Sequence, residues 1–171
     1  MVNSGATAIT RKTVSAPTRW IVGNVFLHGE ILHYGEGKAY QDTAALATYH
    51  TTVDCYDPNS DDPAKRVRKP GCRYDLTVCN YVLNTLLPAE REEAFIDAFL
   101  SATYSIFTVR TDKVKGEPYE DGVLTQRGTF QTQLTSEEWI IWFYTALQRL
   151  AGNYRVSVLH KTSSYMIVQV Y

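Results

Sequence analysis

Residues 30–59, EILHYGEGKAYQDTAALATYHTTVDCYDPN, decide how the rest of the chain is read. Ile31 and Leu32 run as a strand into a turn made by Gly35 and Gly37, where the missing Cβ lets backbone approach a ligand closely. Helical sequence follows at once, over about 38–48. The β-branched and aromatic alternation of 51–56 then predicts a second strand, stopped at Asp57-Pro58 because proline cannot extend a ladder. Strand, glycine turn, helix and strand make the nucleoside-binding half of an α/β fold. Asp57 follows Gly35 by 22 residues and sits at the carboxyl end of the second strand. An acidic side chain there can accept hydrogen bonds from both ribose hydroxyls.

The loop chemistry separates two adenosine-containing ligands. A dinucleotide fingerprint needs a third glycine at position 40, where Tyr40 stands. Glu36 puts a carboxylate where a pyrophosphate would approach the helix N-terminus, a site that otherwise favours anions. NAD is therefore disfavoured. S-adenosylmethionine has no phosphate, carries a sulfonium and an ammonium, and tolerates acidic groups near its methionyl end.

Composition bounds the rest. With 171 residues and 44% hydrophobic content the chain can bury one sizeable core, which predicts a single domain over 16–171 behind a flexible N-terminal tail, 1–15. A formal charge of −1 excludes a basic nucleic-acid footprint spread over the whole surface, though not a local patch. Three cysteines, Cys55, Cys72 and Cys79, with no C-x-x-C or histidine pair, point to reduced thiols and no metal centre. The sequence has neither a signal-peptide core nor an apolar run near the ~18 residues of a membrane span. A soluble, cytoplasmic protein is expected.

Along the chain, Ser15 and Pro17 open a short helix, with Trp20, Ile21 and Val25 toward a sheet. Only 17 residues separate Asp57 from Asp75. A full βαβ step needs ~30, so one strand and helix of larger relatives are missing and the 51–56 strand becomes a sheet edge. Residues 76–81 read as a buried parallel strand whose end, Asn80 and Tyr81, faces the crevice. A helix starts at Pro88, and 105–110 form the next strand. Residues 111–134 show no helical period and read as a long irregular binding loop. Thr135 and Glu138 make a capping box before a helix whose stripe of Trp139, Trp142, Phe143, Ala146, Leu147 and Leu150 is core. Residues 154–159 and 165–171 close the chain as an antiparallel hairpin. The expected fold is a Rossmann-like α/β domain with a mostly parallel, reduced sheet.

ILHYGEGK, VDCYDPN, YDLTVCNYVLNTLLPAEREEAF, FTVRTD and DGVLTQRGTFQ, in this order, resemble the short class I S-adenosylmethionine-dependent methyltransferases of bacteria and their phages. Within these the chain is most similar to the DNA phosphorothioation-associated group. The resemblance implies a cofactor site with Tyr34, Gly35 and Gly37 under the methionyl part, Asp57 on the ribose, and Asn80 and Tyr81 beside the sulfonium. His33 is a further pocket residue. It stands where the family motif usually carries an acid, as Ala39 stands for a glycine.

Methyl transfer from a sulfonium is an in-line displacement, so the protein mainly aligns a nucleophile about 3 Å from the methyl carbon and excludes water. Neither the N/D-P-P-Y motif of amino-methylating DNA enzymes nor a Pro-Cys nucleophile is present. The acceptor is left open, with nucleic acid one of the classes allowed. Tyr119, Asp121 and Arg127 are the candidate catalytic groups, and Thr125, Thr129, Phe130 and Gln131 the candidate acceptor contacts. Lys65, Arg66, Arg68, Lys69, Arg73, Lys113 and Lys115 could track phosphates, or form a solvated face balanced by Asp61 and Asp62. The competing readings are a cofactor-binding module without turnover and a nicotinamide-dependent oxidoreductase.

Overall fold

The computed structural model describes residues 12–66 and 73–171. Most of the expected tail, 1–11, and the loop residues Arg68, Lys69 and Cys72 lie outside them. Ser15, at the boundary given for the tail, is buried and is the helix cap expected of it: its N–H donates to Asp42 Oδ1 at 2.6 Å, and its hydroxyl caps α1 (Ala16–Asn24) by accepting from the Thr18 N–H. Then come β1 (Gly29–Tyr34), α2 (Tyr40–Leu46), β2 (Thr51–Tyr56), β3 (Tyr74–Asn80), α3 (Pro88–Leu100) and β4 (Ala102–Arg110). Three short strands follow, β5 (Glu117–Tyr119), β6 (Gly122–Leu124) and β7 (Phe130–Thr132), and then α4 (Ser136–Leu147), β8 (Val156–Lys161) and β9 (Tyr165–Val170).

The main sheet has the order β2-β1-β3-β4-β9-β8. Its first four strands are parallel, and β9 enters antiparallel between β4 and β8. This is a mixed α/β fold of the Rossmann-like kind, with the C-terminal hairpin inserted as expected. After β2 the described chain makes only a 3-10 turn, Pro63–Arg66, before β3, so β2 is the sheet's edge. Because β1 has β2 on one side and β3 on the other, the strand order reverses there. Ligands of open α/β sheets bind in the crevice outside the strand ends at such a reversal.

The pleat distributes successive side chains to two apolar layers. Ile31, Leu76, Val78, Ile106 and Ile167 meet Ile21 of α1 and Leu46 of α2. Leu32, Phe107, Val109 and Val168 meet Phe95 and Phe99 of α3 and Trp139 and Phe143 of α4. Within this second layer Phe95 lies 5.0 Å from Phe107 and 5.4 Å from Phe143, centroid to centroid. Each such fully buried side chain is worth ~1.5–3 kcal/mol of transfer free energy. The capping box on α4 is present, with Thr135 Oγ1 accepting from the Glu138 N–H and Glu138 accepting from the Thr135 N–H.

The 111–134 segment departs from expectation. It is a three-stranded antiparallel meander, β5-β6-β7, with Val123, Phe130 and Thr132 buried. Three-residue strands are too short for alternation to show in sequence. Among the described residues no helix is long and apolar enough to cross a membrane.

Candidate functional site

A cleft of about 770 Å³ opens outside the carboxyl ends of β1 and β3. One lip is the glycine turn with the loop after β2. The other is the chain leaving β3, α3 and the end of β4.

The first lip is built by backbone. Gly35, at φ +70°, donates its N–H to the Tyr56 carbonyl at 2.6 Å, and a Cβ there would lie 2.2 Å from Val82 Cγ2. Only glycine satisfies both the left-handed dihedral and the close approach. Gly37, at φ +57°, donates to Asp57 Oδ2 at 2.9 Å, and Asn59 N–H donates to Asp57 Oδ1 at 2.8 Å. The buried Asp57 carboxylate is thus fixed by one N–H on each oxygen, and each oxygen keeps capacity for a further donor.

Beneath the turn lies a closed polar network. The ring N–H of His33 at Nδ1 donates to Thr43 Oγ1 at 2.8 Å, and the Thr43 hydroxyl donates to Glu36 Oε1 at 2.5 Å. Lys65 Nζ pairs with the other Glu36 oxygen, and Cys55 Sγ lies 3.6 Å from Thr43 Oγ1. A donating Nδ1 suits the neutral and the protonated ring alike, and burial favours the neutral one, holding the His33 pKa below the ordinary imidazole value against the opposing pull of Glu36 and Asp42. Burial alone would raise the Glu36 pKa, but the hydrogen bonds from Lys65 and Thr43 outweigh it and hold the carboxyl below its usual range. Burial also pushes the Cys55 thiol up to about 11.

His33, Glu36 and Cys55 offer metal-type donor atoms all within 4.8 Å of one another. The set does not fit a metal, because the Lys65 ammonium already sits on Glu36 and the Cys55 thiol is held protonated. Glu36, expected in the turn near the methionyl end, and Lys65, expected either to track phosphates or to belong to a solvated face, are turned on each other across 29 residues of sequence. That spacing carries no periodic signal.

The second lip is built by side chains. Tyr81 follows β3 in the left-handed region, φ +63°, while its N–H donates to the Thr108 carbonyl at 2.9 Å. A bulky residue held in that region persists only where its surroundings over-determine it, as they do at ligand sites. Asn80, expected to flank a sulfonium, lines the cleft but commits its carboxamide elsewhere, donating to Thr18 Oγ1 at 2.9 Å and accepting from Thr108 Oγ1 at 2.7 Å. Tyr34 also lines the cleft, with its hydroxyl donating to Asp97 on α3 at 3.0 Å.

At the end of β4, Arg110 donates through Nε and Nη2 to the two oxygens of Asp112, at 2.9 and 2.6 Å. The pairing raises the Arg110 pKa and holds Asp112 below the carboxylate range. The Arg110 backbone is clamped by Asn84 Oδ1 on its N–H at 2.8 Å and by Trp139 Nε1 on its carbonyl at 2.9 Å. Sequence reading missed Arg110 and Asp112. Their one signal was position, an arginine closing an apolar strand.

Of the residues expected around the acceptor, Gln131 lines the cleft and Tyr119, Asp121, Thr125, Arg127, Thr129 and Phe130 do not. Asp121 instead accepts two hydrogen bonds from Arg91, at 2.6 and 2.8 Å. Arg91 is fully buried, with its guanidinium 5.5 Å from the Trp139 ring and 5.7 Å from the Trp142 ring. This pair ties α3 to the meander. Thr125 and Thr129 bond each other at 2.7 Å across the β6–β7 turn, leaving Arg127 exposed at its tip, while Phe130 is buried with Tyr119 against its edge. Loop composition does not show which side chains a meander turns inward.

Comparison with known proteins places the fold. No family model matches the chain, and no curated protein matches it in sequence. Among solved structures, DhpI in complex with SAM and HEP superposes with a TM-score of 0.58 at 13% identity, covering 91% of this chain and 85% of that one. The small RNA methyltransferase HEN1 gives 0.61 at 11% identity over 96% of this chain and 26% of HEN1. A Rhodobacter sphaeroides chain described as a zinc-dependent alcohol dehydrogenase gives 0.58 at 12% identity, covering 99% of both. At such identities the likeness is one of fold, and one fold hosts different chemistries.

Proposed function

We propose that this chain is an S-adenosylmethionine-dependent methyltransferase built as one reduced domain over about 16–171. The observation that carries the reading is the first lip. A glycine turn pinned between Tyr56 and Val82 at the strand-order reversal presents Asp57 with its carboxylate already oriented. The hairpin order β4-β9-β8 and the likeness to DhpI bound to SAM and to HEN1 support it. The narrower kinship with the phosphorothioation-associated group rests on YVLN, PAER and RGTFQ.

In this reading Asp57 accepts from the ribose hydroxyls, and Gly35 and Gly37 let the turn lie under the methionyl part. Tyr34 shapes that floor, and Tyr81 stands beside the sulfonium. The cofactor supplies an activated methyl group. The protein's share is alignment and exclusion of water, with Tyr81, Gln131 and Arg110 facing the acceptor. His33 is a neutral member of the pocket wall, where a carboxylate would attract the cofactor's ammonium. With Glu36 also neutralised by Lys65, this lip exerts little charge attraction. That single feature favours the second reading, cofactor binding without turnover.

Calorimetric titration with S-adenosylmethionine, S-adenosylhomocysteine and NAD tests the assignment. Micromolar binding of the first two alone is expected. Binding of NAD alone would make the chain an oxidoreductase. Asp57→Ala should weaken adenosyl binding at least tenfold, ~1.4 kcal/mol, and affinity kept within about twofold would remove Asp57 from the ribose.

A further inference from the structure

The cleft wall carries information about what else enters it. Among the described residues that line it, eight are acidic and two, Lys38 and Arg110, are basic. Their distribution is uneven. On the first lip Glu36 is neutralised by Lys65, Asp57 is held by backbone N–H groups, and Asp42 accepts from Ser15. On the second lip α3 turns Glu90, Glu93, Ala94 and Asp97 to the cleft, positions i, i+3, i+4 and i+7 of one helical face, while Arg91, Phe95, Ala98 and Phe99 face the core.

Asp97 accepts from Tyr34, whereas Glu90 and Glu93 are exposed and form no ion pair among the described residues. Glu92, on another side of α3, takes Arg149. Among the described residues the one cation lining this lip, Arg110, has two of its donors spent on Asp112. A phosphate entering beside Tyr81 would therefore meet carboxylates on α3 and a guanidinium already neutralised.

We infer that the acceptor is a small amine that enters as its ammonium ion, seated between Tyr81 and the Glu90–Glu93–Asp97 face of α3, and not a nucleic acid; the ammonium gives one proton to a carboxylate of that face, and the freed nitrogen then bonds to the methyl carbon as the carbon–sulfur bond breaks and S-adenosylhomocysteine leaves. The inference rests on the methyltransferase reading and assigns the acceptor class within it. A cation is favoured by the acidic excess of the described lining. A nucleic acid would need cations along the rim to follow its phosphates. The described rim of α3 offers the opposite charge.

The test uses the full chain saturated with S-adenosylhomocysteine, so that cofactor binding is verified first and separately. Phenethylamine and its charge-reversed counterpart 3-phenylpropionate are then titrated by saturation-transfer NMR, beside a 12-nucleotide single-stranded RNA. The amine should bind, and the E90Q/E93Q double variant should weaken it at least fivefold while leaving S-adenosylhomocysteine affinity within twofold. The carboxylate and the RNA should neither bind the cleft nor displace the amine. Equal or tighter binding of the RNA or the carboxylate would overturn the inference, as would no amine binding or an amine affinity indifferent to E90Q/E93Q. Failure of S-adenosylhomocysteine to bind would overturn the methyltransferase reading, and this inference with it.

Discussion

The two lips of the cleft solve opposite problems with opposite materials. On the glycine-turn lip, Asp57, Glu36, Thr43 and His33 all have protein partners before any ligand arrives. On the α3 lip the geometry is strained, with Tyr81 at φ +63°, and Glu90 and Glu93 are open to solvent and form no ion pair among the described residues. The contrast teaches where selectivity can reside. A lip whose polar groups are already satisfied can hold one ligand in one pose, and changing it means rebuilding a network. A lip of side chains on one helix can be re-specified residue by residue.

The comparison can be broken most forcefully where α3 is anchored. Asp121→Ala leaves the Arg91 guanidinium buried between two tryptophans without its carboxylate, which should destabilise the chain by about 3 kcal/mol. Urea unfolding checks it. A loss below ~1 kcal/mol would make the pair equivalent to a surface ion pair, and α3 would be held by its apolar face alone. On the other lip Gly35→Ala should cost about 2–3 kcal/mol, from the left-handed dihedral and the collision with Val82. Combining it with Val82→Ala should recover part of the loss, and no recovery would mean that the dihedral alone accounts for it.

Two smaller effects sharpen the contrast. Tyr81→Gly should relieve strain of about 1 kcal/mol, so that thermal stability holds or rises while phenethylamine binding falls. If both fell together, the ring would be packing and not recognition. The smallest effect is the pH dependence attached to His33. Its folded-state pKa lies below the ordinary 6.5, so on acidification the unfolded chain takes up that proton first. The histidine's contribution is full above about 6.5 and is lost as pH falls toward the folded value. Glu36, also depressed, adds a loss of its own below about 4.5. Stability measured across pH 5–7 should slope upward with pH, and His33→Gln should flatten that slope. An unchanged slope would mean that another group titrates there.

Local signals and distant ones differ sharply in how far sequence reveals them. The β1–turn–α2–β2 unit, the helix begun at Pro88, the capping box at Thr135 and Glu138, and the hairpin were all legible, because each is specified by residues within a few positions of one another. So was the short passage from Asp57 to β3, since length alone forbids a further strand and helix. Arg91 was not legible, lying in a run of glutamates that reads as solvated, although i, i+4 spacing places it on the face of Phe95. Nor was the pairing of Lys65 with Glu36, which depends on where the loop after β2 returns. The acceptor residues expected on 119–131 were drawn from polarity, and a meander hides some polar groups and exposes others by a register that polarity does not encode.

Gly35 is held at once by the Tyr56 carbonyl at the end of β2 and by Val82 just past β3, so the cleft exists only after β1 has paired with strands on both sides. A tenant of that cleft binds the completed chain and no earlier form of it. At a hundred times its dissociation constant it would add about 2.7 kcal/mol to the free energy of unfolding. The supply of the small molecule would then set how long each copy of the protein outlasts proteolysis, whether or not a methyl group is ever moved.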